Sequence, residues 1–463
     1  MTEEIRFGTD GWRAVIGDDF TYTNVRRVAD AAGRVFTADS PGGTVLIGFD
    51  TRFEAGSFAA AVAEVLSAHG LEVRLSDRPI PTPALCWSVA QAPEACGGVM
   101  LTASHNPSDY LGVKLRMSDG GASPVSFTDR VEVELLAEAP EQRGAFTTVD
   151  LAGPYLEALR ATVDGEAIAA AGLRVVVDPL YGAGQGYLAE TLRSMGVEVV
   201  EIHSERNPGF GGLHPEPIPP WTDDAEAAVT GGGFDGAFIT DGDADRIGAL
   251  DASGAFVSPH RIIALVAWHL VEDKGLTGRI VKTLSTSVVV DRLALRLGLE
   301  TVTTPVGFKW IYEEMVKGGV LLGGEESGGI GIPSHVRERD GLLMALLLVE
   351  MMAQRGRGLG ELVEDLFALT GPMQYGRLDL RLDPAVMEDF VARMPGLSPA
   401  ELAGLGVREV IRVDGVKFLL PDDAWLLMRT SGTEPLVRIY AEASSDGVVD
   451  DLLRAGRALV EGA

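Results

Sequence analysis

Cysteine is nearly absent: Cys86 and Cys96 are the only two in 463 residues. That is too few for a disulfide framework, and their spacing is not that of a metal cluster, so a reduced, cytoplasmic setting is expected. Basic residues are also scarce, 39 Lys and Arg against 67 Asp and Glu, which leaves a formal net charge of −28. Such a field repels nucleic acid and anionic membrane, and neither is expected as a partner. It also repels an anionic small substrate at long range, so a site for one must gather its cations locally. No long hydrophobic run is present: the richest stretch, Leu342 to Ala353, is interrupted by Glu350 and is short of the ~20 residues a membrane span needs. The opening MTEEIRFGTDGW is acidic and has no apolar core, unlike a secretory signal. What remains is a globular composition, 46% hydrophobic and 23% charged. At roughly 150 residues per domain, the length corresponds to about three domains.

A repeat runs through the pattern. Thr44 to Phe49 reads as a strand, Phe58 to His69 as an amphipathic helix, and Leu71 to Leu75, after Gly70, as a second strand. The same grammar returns in Leu173 to Val177 with Val197 to Ile202 beyond Gly196, and in Arg279 to Leu284 with Leu299 to Thr304 beyond Gly298. Each glycine is the expected helix C-cap, and the β-branched runs suit strands covered on both faces. Each copy then has a third strand-like segment followed by a polar loop. Gly97 to Leu101 leads into TASHNP, Phe234 to Thr240 into DGDADR, and Gly318 to Leu322 into GGEESGG. Ligands of open α/β sheets sit beyond the carboxyl ends of strands, so three such loops in register imply a shared cleft. Breaks are expected within Glu138–Asp150, at the DASG turn of residues 251–254 and near Thr370-Gly371-Pro372. The remainder reads as a smaller α+β unit with strands at Ala424–Met428 and Val437–Ala441.

Asp241, Asp243 and Asp245 alternate, and in extended backbone that spacing puts three carboxylates on one side, where they repel unless a cation sits among them. Hard oxygen ligands point to Mg²⁺. An EF-hand is excluded, because the sixth position from Asp241 is Arg246 and the twelfth is Ala252. Ser104 lies between a strand end and the turn Asn106-Pro107, flanked by Thr102 and His105, where its hydroxyl can be a nucleophile or phosphoryl acceptor. Lys114 follows ten residues later, suited to neutralising phosphate. Arg429-Thr430-Ser431-Gly432-Thr433 combines a guanidinium, three hydroxyls and a glycine, a composition that cradles phosphate. Glu325, Glu326 and Ser327 among glycines suit the hydroxyls of a sugar; an acidic turn has the same composition. Arg13 follows the tight turn of GTDGWR.

Taken in order and at these intervals, TASHNP, DGDADR, GGEESGG and RTSGTEP, with the opening FGTDGWR, resemble the α-D-phosphohexomutase family across essentially the whole chain. The resemblance implies an α/β fold of four domains around a central cleft: three similar α/β units with mixed sheets and a smaller C-terminal α+β domain. On this chain they are expected at residues 1–145 (phosphoserine), 146–253 (metal), 254–370 (sugar recognition) and 371–463 (phosphate). It implies that Ser104 carries a phosphoryl group, and that Mg²⁺ is held by that phosphate on Ser104 with Asp241, Asp243 and Asp245. By the same resemblance Arg13, His105, Lys114 and Arg246 attend the phosphoryl group. Glu325 and Ser327 match the sugar loop, and Arg429, Ser431, Gly432 and Thr433 the site of the phosphate that does not react. The implied reaction passes a phosphoryl group between the 1 and 6 positions of a hexose phosphate through a bisphosphate, with glucose 1,6-bisphosphate as activator.

Sugar choice rests on one loop. Mannose/glucose-type and glucosamine-type branches of the family have Met or Gln at position 326 and His at 329, where this chain has Glu326 and Gly329. The Glu-Glu-Ser core, with the segment His335 to Gly341, resembles phosphoglucomutases, so glucose phosphates are expected, with mannose phosphates the alternative. Lys309, His335 and Arg337 are further candidates to line the sugar site. Two rival readings remain: a haloacid-dehalogenase-type phosphatase in which Asp241 is the nucleophile, and a sugar-phosphate sensor that binds without turnover. The phosphatase reading leaves TASHNP and RTSGTEP unexplained. A monomer or small homo-oligomer is expected.

Overall fold

The structure is a computed structural model that describes residues 5–8, 10–430 and 436–462. Three mixed sheets and a five-stranded antiparallel sheet follow one another along the chain, with a two-stranded antiparallel ribbon, Glu401–Leu402 and Leu405–Gly406, in the last part. The first runs, edge to edge, Trp12–Val15, Tyr110–Met117, Ala95–Leu101, Thr44–Phe49, Glu72–Ser76 and Thr147–Val149. Thr44–Phe49 pairs in parallel with both of its neighbours, as expected of a strand reached through helical crossovers. The second sheet repeats the arrangement with Arg174–Asp178 between Glu198–Glu201 and Gly236–Thr240, and the third with Arg279–Thr283 between Thr301–Thr304 and Val320–Gly324.

The expected repeat is present, with shifted ends. The third unit's loop-bearing strand is Val320–Gly324, because Gly318 and Gly319 adopt φ of 81° and 71° and form the turn before it. The helix expected at Phe58–His69 starts earlier, at Ala55. Thr147–Val149 adds a last strand to the first sheet, and Phe256–Val257 one to the second, so both sheets reach past residues 145 and 253.

One hydrophobic core joins the first three units, from Leu46, Leu85 and Met100 through Tyr155 and Val177 to Leu265, Leu346 and Leu366. At its centre lies the helix Gly341–Arg355, whose residues 341–352 are all buried. This helix is the apolar stretch seen in the sequence. Its single interior charge, Glu350, accepts hydrogen bonds from His269, Lys274 and the backbone of Asp164. Among the described residues no helix is long and apolar enough to cross a membrane. The fourth unit is an antiparallel sheet in the order Gln374–Arg381, Leu436–Ala443, Trp425–Thr430, Val416–Leu419 and Glu409–Ile411, backed by Asp446–Glu461. It has its own core, around Phe390, Phe418, Ile439 and Leu452.

Candidate functional site

The three loops in register do meet, at the carboxyl ends of Ala95–Leu101, Gly236–Thr240 and Val320–Gly324. Ser104 Oγ donates to Asp241 Oδ2 at 2.7 Å, tying the first loop to the second. Arg246 and Gly329 form an isolated β-bridge between the second and third, and Gly341 N–H donates to Ala244 carbonyl at 3.2 Å. Backbone approach is close: a Cβ on Gly242 would lie 2.3 Å from the Ser104 carbonyl oxygen. Glycine is required there by contact, not by dihedral angle.

The acidic loop is not extended. Residues 241–245 turn, with Ala244 at φ 58°, and the chain returns antiparallel along Ile247–Asp251. The three carboxylates converge because the loop curls, not because a strand alternates. Asp241, Asp243 and Asp245 are wholly buried, and one oxygen from each lies within 4.8 Å of the other two. Asp241 Oδ1 accepts the backbone N–H groups of Asp245 and Arg246. Asp243 Oδ2 accepts Thr82 Oγ1 at 2.6 Å and Lys114 Nζ at 2.8 Å. Asp243 Oδ1 and Asp245 Oδ1 are buried without a hydrogen-bond partner. Orphaned carboxylate oxygens in a dry pocket are costly, and a hard divalent cation is the partner such a donor set fits.

Electrostatics divide the three acids. Burial, and then its two neighbours, push Asp241 well above the usual carboxylate range, and burial raises Asp245 as well. Burial acts upward on Asp243 too, but Lys114 and Thr82 outweigh it and hold that carboxyl low. Lys114 is itself fully buried. Burial would lower it, yet Asp10 at 3.0 Å and Asp243 at 2.8 Å keep it above its ordinary value. It lies on the strand Tyr110–Met117, which pairs with Ala95–Leu101, the strand that leads into the Ser104 loop.

Ser104 sits at φ 51° with 1% exposure, its N–H donating to Thr102 Oγ1. His105 Nδ1 is 3.4 Å from Ser104 Oγ. Burial, then Arg246 and Arg13, press its pKa well below that of a free imidazole, so at neutral pH it is an uncharged ring. Arg13 donates to Asn106 Oδ1 at 2.7 Å, and Arg246 Nη1 is 3.6 Å from Glu216. Glu325, 6% exposed, is raised to about 7 by burial, against the pull of Arg339. Ser327 is half-buried in the same turn.

Other expected residues lie elsewhere. His335 packs on Tyr155 of the second unit and lies 3.3 Å from Asp340; Arg337, 41% exposed, pairs with Asp119 of the first unit at 3.0 Å. Both brace units together and neither joins the acidic loop. Lys309 lies over the Trp310 ring and lines a small cavity with Gly8, Asp10 and Gly11. Arg429 is pinned to Asp414, whose carboxylate also accepts Val306 N–H from the third unit at 2.9 Å. Ser431, Gly432 and Thr433 lie outside the described residues.

Two residues that the motifs did not single out belong at the centre. Arg339 Nη2 is 2.8 Å from both Asp245 and Asp10. Asp10 also meets Arg116 and Lys114; burial raises its pKa, but these cations together hold it well below the carboxylate range. Gly329 makes room for this: a Cβ there would lie 2.4 Å from Arg339 Cδ. The signal in the sequence was the cluster of charges in His335 to Asp340, from which Arg339 reaches inward together with the buried Glu338.

Comparison with known proteins matches all four units. Models described as phosphoglucomutase/phosphomannomutase α/β/α domains I, II and III match residues 4–142, 153–254 and 258–370, and the C-terminal domain matches 386–457. A phosphoglucomutase/phosphomannomutase of Thermococcus kodakarensis is 31% identical over 98% of each chain. A phosphoglucosamine mutase of Frankia casuarinae is 34% identical over 95% of this chain and 94% of its own. The crystal structure of a Thermus thermophilus protein provisionally assigned as a phosphomannomutase superposes with a TM-score of 0.91, 41% identity and full coverage of both chains.

Proposed function

The chain belongs to the phosphoglucomutase/phosphomannomutase family of α-D-phosphohexomutases, and on that premise we propose that it interconverts glucose 1-phosphate and glucose 6-phosphate through a phosphorylated Ser104. The observation that carries this reading is the 2.7 Å hydrogen bond from Ser104 Oγ to Asp241, made inside a buried ring of three aspartates. A phosphoryl-carrying hydroxyl beside three buried acids supports this reading, since a buried serine needs no triad of acids to satisfy one proton.

Ser104 as phosphoserine passes its phosphoryl group to the free hydroxyl of the bound hexose phosphate, giving a bisphosphate; the sugar turns end for end, and the other phosphoryl group returns to Ser104. Between the two steps the Ser104 hydroxyl points its proton at Asp241 Oδ2. Transfers of this kind need positioning and charge neutralisation above all. Lys114, Arg13 and Arg246 supply the cations, held by Asp10, Asn106 and Glu216 respectively. Asp241, Asp243, Asp245 and the phosphoryl oxygens of Ser104 would hold Mg²⁺, which when bound neutralises charge on the transferring group. In this reading Glu325 and Ser327 accept and donate hydrogen bonds to sugar hydroxyls, and Arg429, from the fourth unit, faces the distal phosphate.

Glucose is favoured because the Glu-Glu-Ser core of the sugar loop resembles that of phosphoglucomutases; in this chain Glu326 Oε2 accepts Ser285 Oγ at 2.6 Å and Thr283 Oγ1 at 3.2 Å. The names carried by the relatives are mixed and include both mannose- and glucosamine-phosphate mutases; mannose phosphate is the second reading. Interconversion of the 1- and 6-phosphates of glucose, mannose and glucosamine, measured side by side with Mg²⁺ and a trace of glucose 1,6-bisphosphate, decides between them. Higher kcat/KM for glucose supports the proposal, and higher kcat/KM for either other sugar overturns it.

A further inference from the structure

Within the turn that carries Ser104, Asn106 N–H donates to the Ala103 carbonyl and Tyr110 N–H to the Pro107 carbonyl. Four of its carbonyl groups, those of Ser104, Asn106, Pro107 and Tyr110, meet a single guanidinium from a neighbouring strand end. Arg52, 1% exposed, uses all five of its N–H groups. Nη2 donates to the carbonyls of Ser104 at 2.6 Å and Asn106 at 2.7 Å; Nη1 donates to those of Pro107 at 2.6 Å and Tyr110 at 3.0 Å. Nε donates to Asp50 Oδ2 at 3.1 Å. Asp50 Oδ1 accepts the Arg52 backbone N–H, which sets the side chain's departure from the strand Thr44–Phe49. The Phe210 ring, from the second unit, covers the guanidinium at 4.8 Å.

We propose that Arg52 is the positioning residue of the phosphoryl-transfer step: its planar fork holds four loop carbonyls at once, and so fixes Ser104 at φ 51° with Oγ aimed at Asp241. This inference rests on the reading of Ser104 as the phosphoryl carrier. The left-handed conformation at a serine is strained and persists only where surroundings over-determine it. Thr102 secures one side of the residue through Ser104 N–H, and Arg52 secures the other through Ser104 carbonyl. No other buried side chain in the first unit donates to this turn's carbonyls among the described residues. A lysine cannot replace it, because three donors on one nitrogen do not span a four-carbonyl fork.

The role differs from general support of the fold in what it changes. Arg52 touches none of the groups assigned to the sugar or the distal phosphate, so its loss misplaces the reacting oxygen without weakening substrate binding. A displacement of about 1 Å at a reacting centre costs on the order of 100-fold in rate.

The test compares wild type, Arg52→Lys and Ser104→Ala as full chains. Readouts are kcat, the Kd of the unreactive 1-deoxyglucose 6-phosphate, and amide hydrogen exchange of residues 104–110. Arg52→Lys is expected to lower kcat by at least ~30-fold, to leave Kd within about twofold, and to accelerate exchange in this turn alone. A folded Arg52→Lys with kcat near wild type, or with Kd weakened in proportion to kcat, overturns the proposal. If Arg52→Lys does not fold, Phe210→Leu takes its place. It keeps the five hydrogen bonds and uncovers the guanidinium, so kcat is expected to fall about threefold at unchanged Kd; unchanged kcat overturns the proposal. Failure of the phosphoserine reading itself is seen separately, as turnover by Ser104→Ala.

Discussion

The two ends of the proposed cleft are built differently. At the reacting end, loops from three units interlock through buried charges, Asp10 alone meeting Lys114, Arg116 and Arg339, and the units beneath share one core. At the distal end, Arg429 sits on a unit with a core of its own, joined to the third unit by a small apolar cluster of Leu284, Trp425, Leu427 and Tyr440. A few polar contacts surround that cluster. Glu442 accepts Ser287 Oγ and Val288 N–H, Lys417 Nζ donates to Leu284 carbonyl at 2.7 Å, and Arg292 pairs with Asp423 at 2.8 Å. A transferring phosphoryl group needs fixed geometry, whereas a substrate that must turn end for end needs one wall that can yield. In the proposed reaction this sets the interlocked end against the transferring group and the more lightly joined end against the distal phosphate.

Substitutions at the two ends should therefore fail in different ways. Ser104→Ala is expected to abolish turnover, by on the order of 10³-fold or more, with the fold intact by circular dichroism; retained activity would end the distinction. Asp243→Asn comes next. It leaves Lys114 without its shortest partner and removes a ligand, and calorimetric Mg²⁺ titration should show affinity lower by roughly 10–100-fold. Arg429→Ala, at the distal end, is expected to raise KM about 10–30-fold, the loss of a charge-assisted contact, with kcat changed much less. A kcat defect as large as that of Ser104→Ala would mean that the fourth unit takes part in the chemistry.

Lysines sharpen the comparison. Lys114 is held above its ordinary pKa by carboxylates, whereas burial pushes Lys417, at the seam between third and fourth units, down to about 7. An unfolded lysine keeps its proton up to about pH 10.4, so between the two values the unfolded chain binds more protons and stability rises with pH. Relative to Lys417→Met, the wild-type unfolding free energy should rise from pH 7 to 9, with a slope of at most about 1.4 kcal/mol per pH unit. Parallel curves would contradict that assignment. The smallest effect is expected for Asp423→Asn, under about 1 kcal/mol by chemical denaturation, since Asp423 is largely exposed.

Local grammar made the repeat and the three loops legible in the sequence, whereas the link between Ser104 and the aspartates came only through the resemblance to a family. Period-2 and period-3.6 patterns persist wherever a strand or helix faces a core. Arg339, Asp10 and Arg52 were not legible, because each acts through partners far along the chain; Asp10 and Arg339 are 329 residues apart. Neither spacing nor composition encodes such a meeting. His335 and Arg337, expected to line the sugar site, meet Tyr155 and Asp119 in the structure. The curl of residues 241–245 was hidden for a different reason: a non-glycine residue, Ala244, takes the left-handed conformation.

The central claim, that Ser104 carries the phosphoryl group, is tested most directly by labelling. Purified protein is incubated with ³²P-labelled glucose 1,6-bisphosphate and Mg²⁺, digested, and mapped by peptide, with a parallel sample chased by unlabelled glucose 1-phosphate. The account expects label on the peptide containing Ser104, stable to acid as a phosphoserine is, and discharged to sugar in the chase. Label on the peptide containing Asp241, or a labelled Ser104 that the sugar cannot discharge, would contradict it.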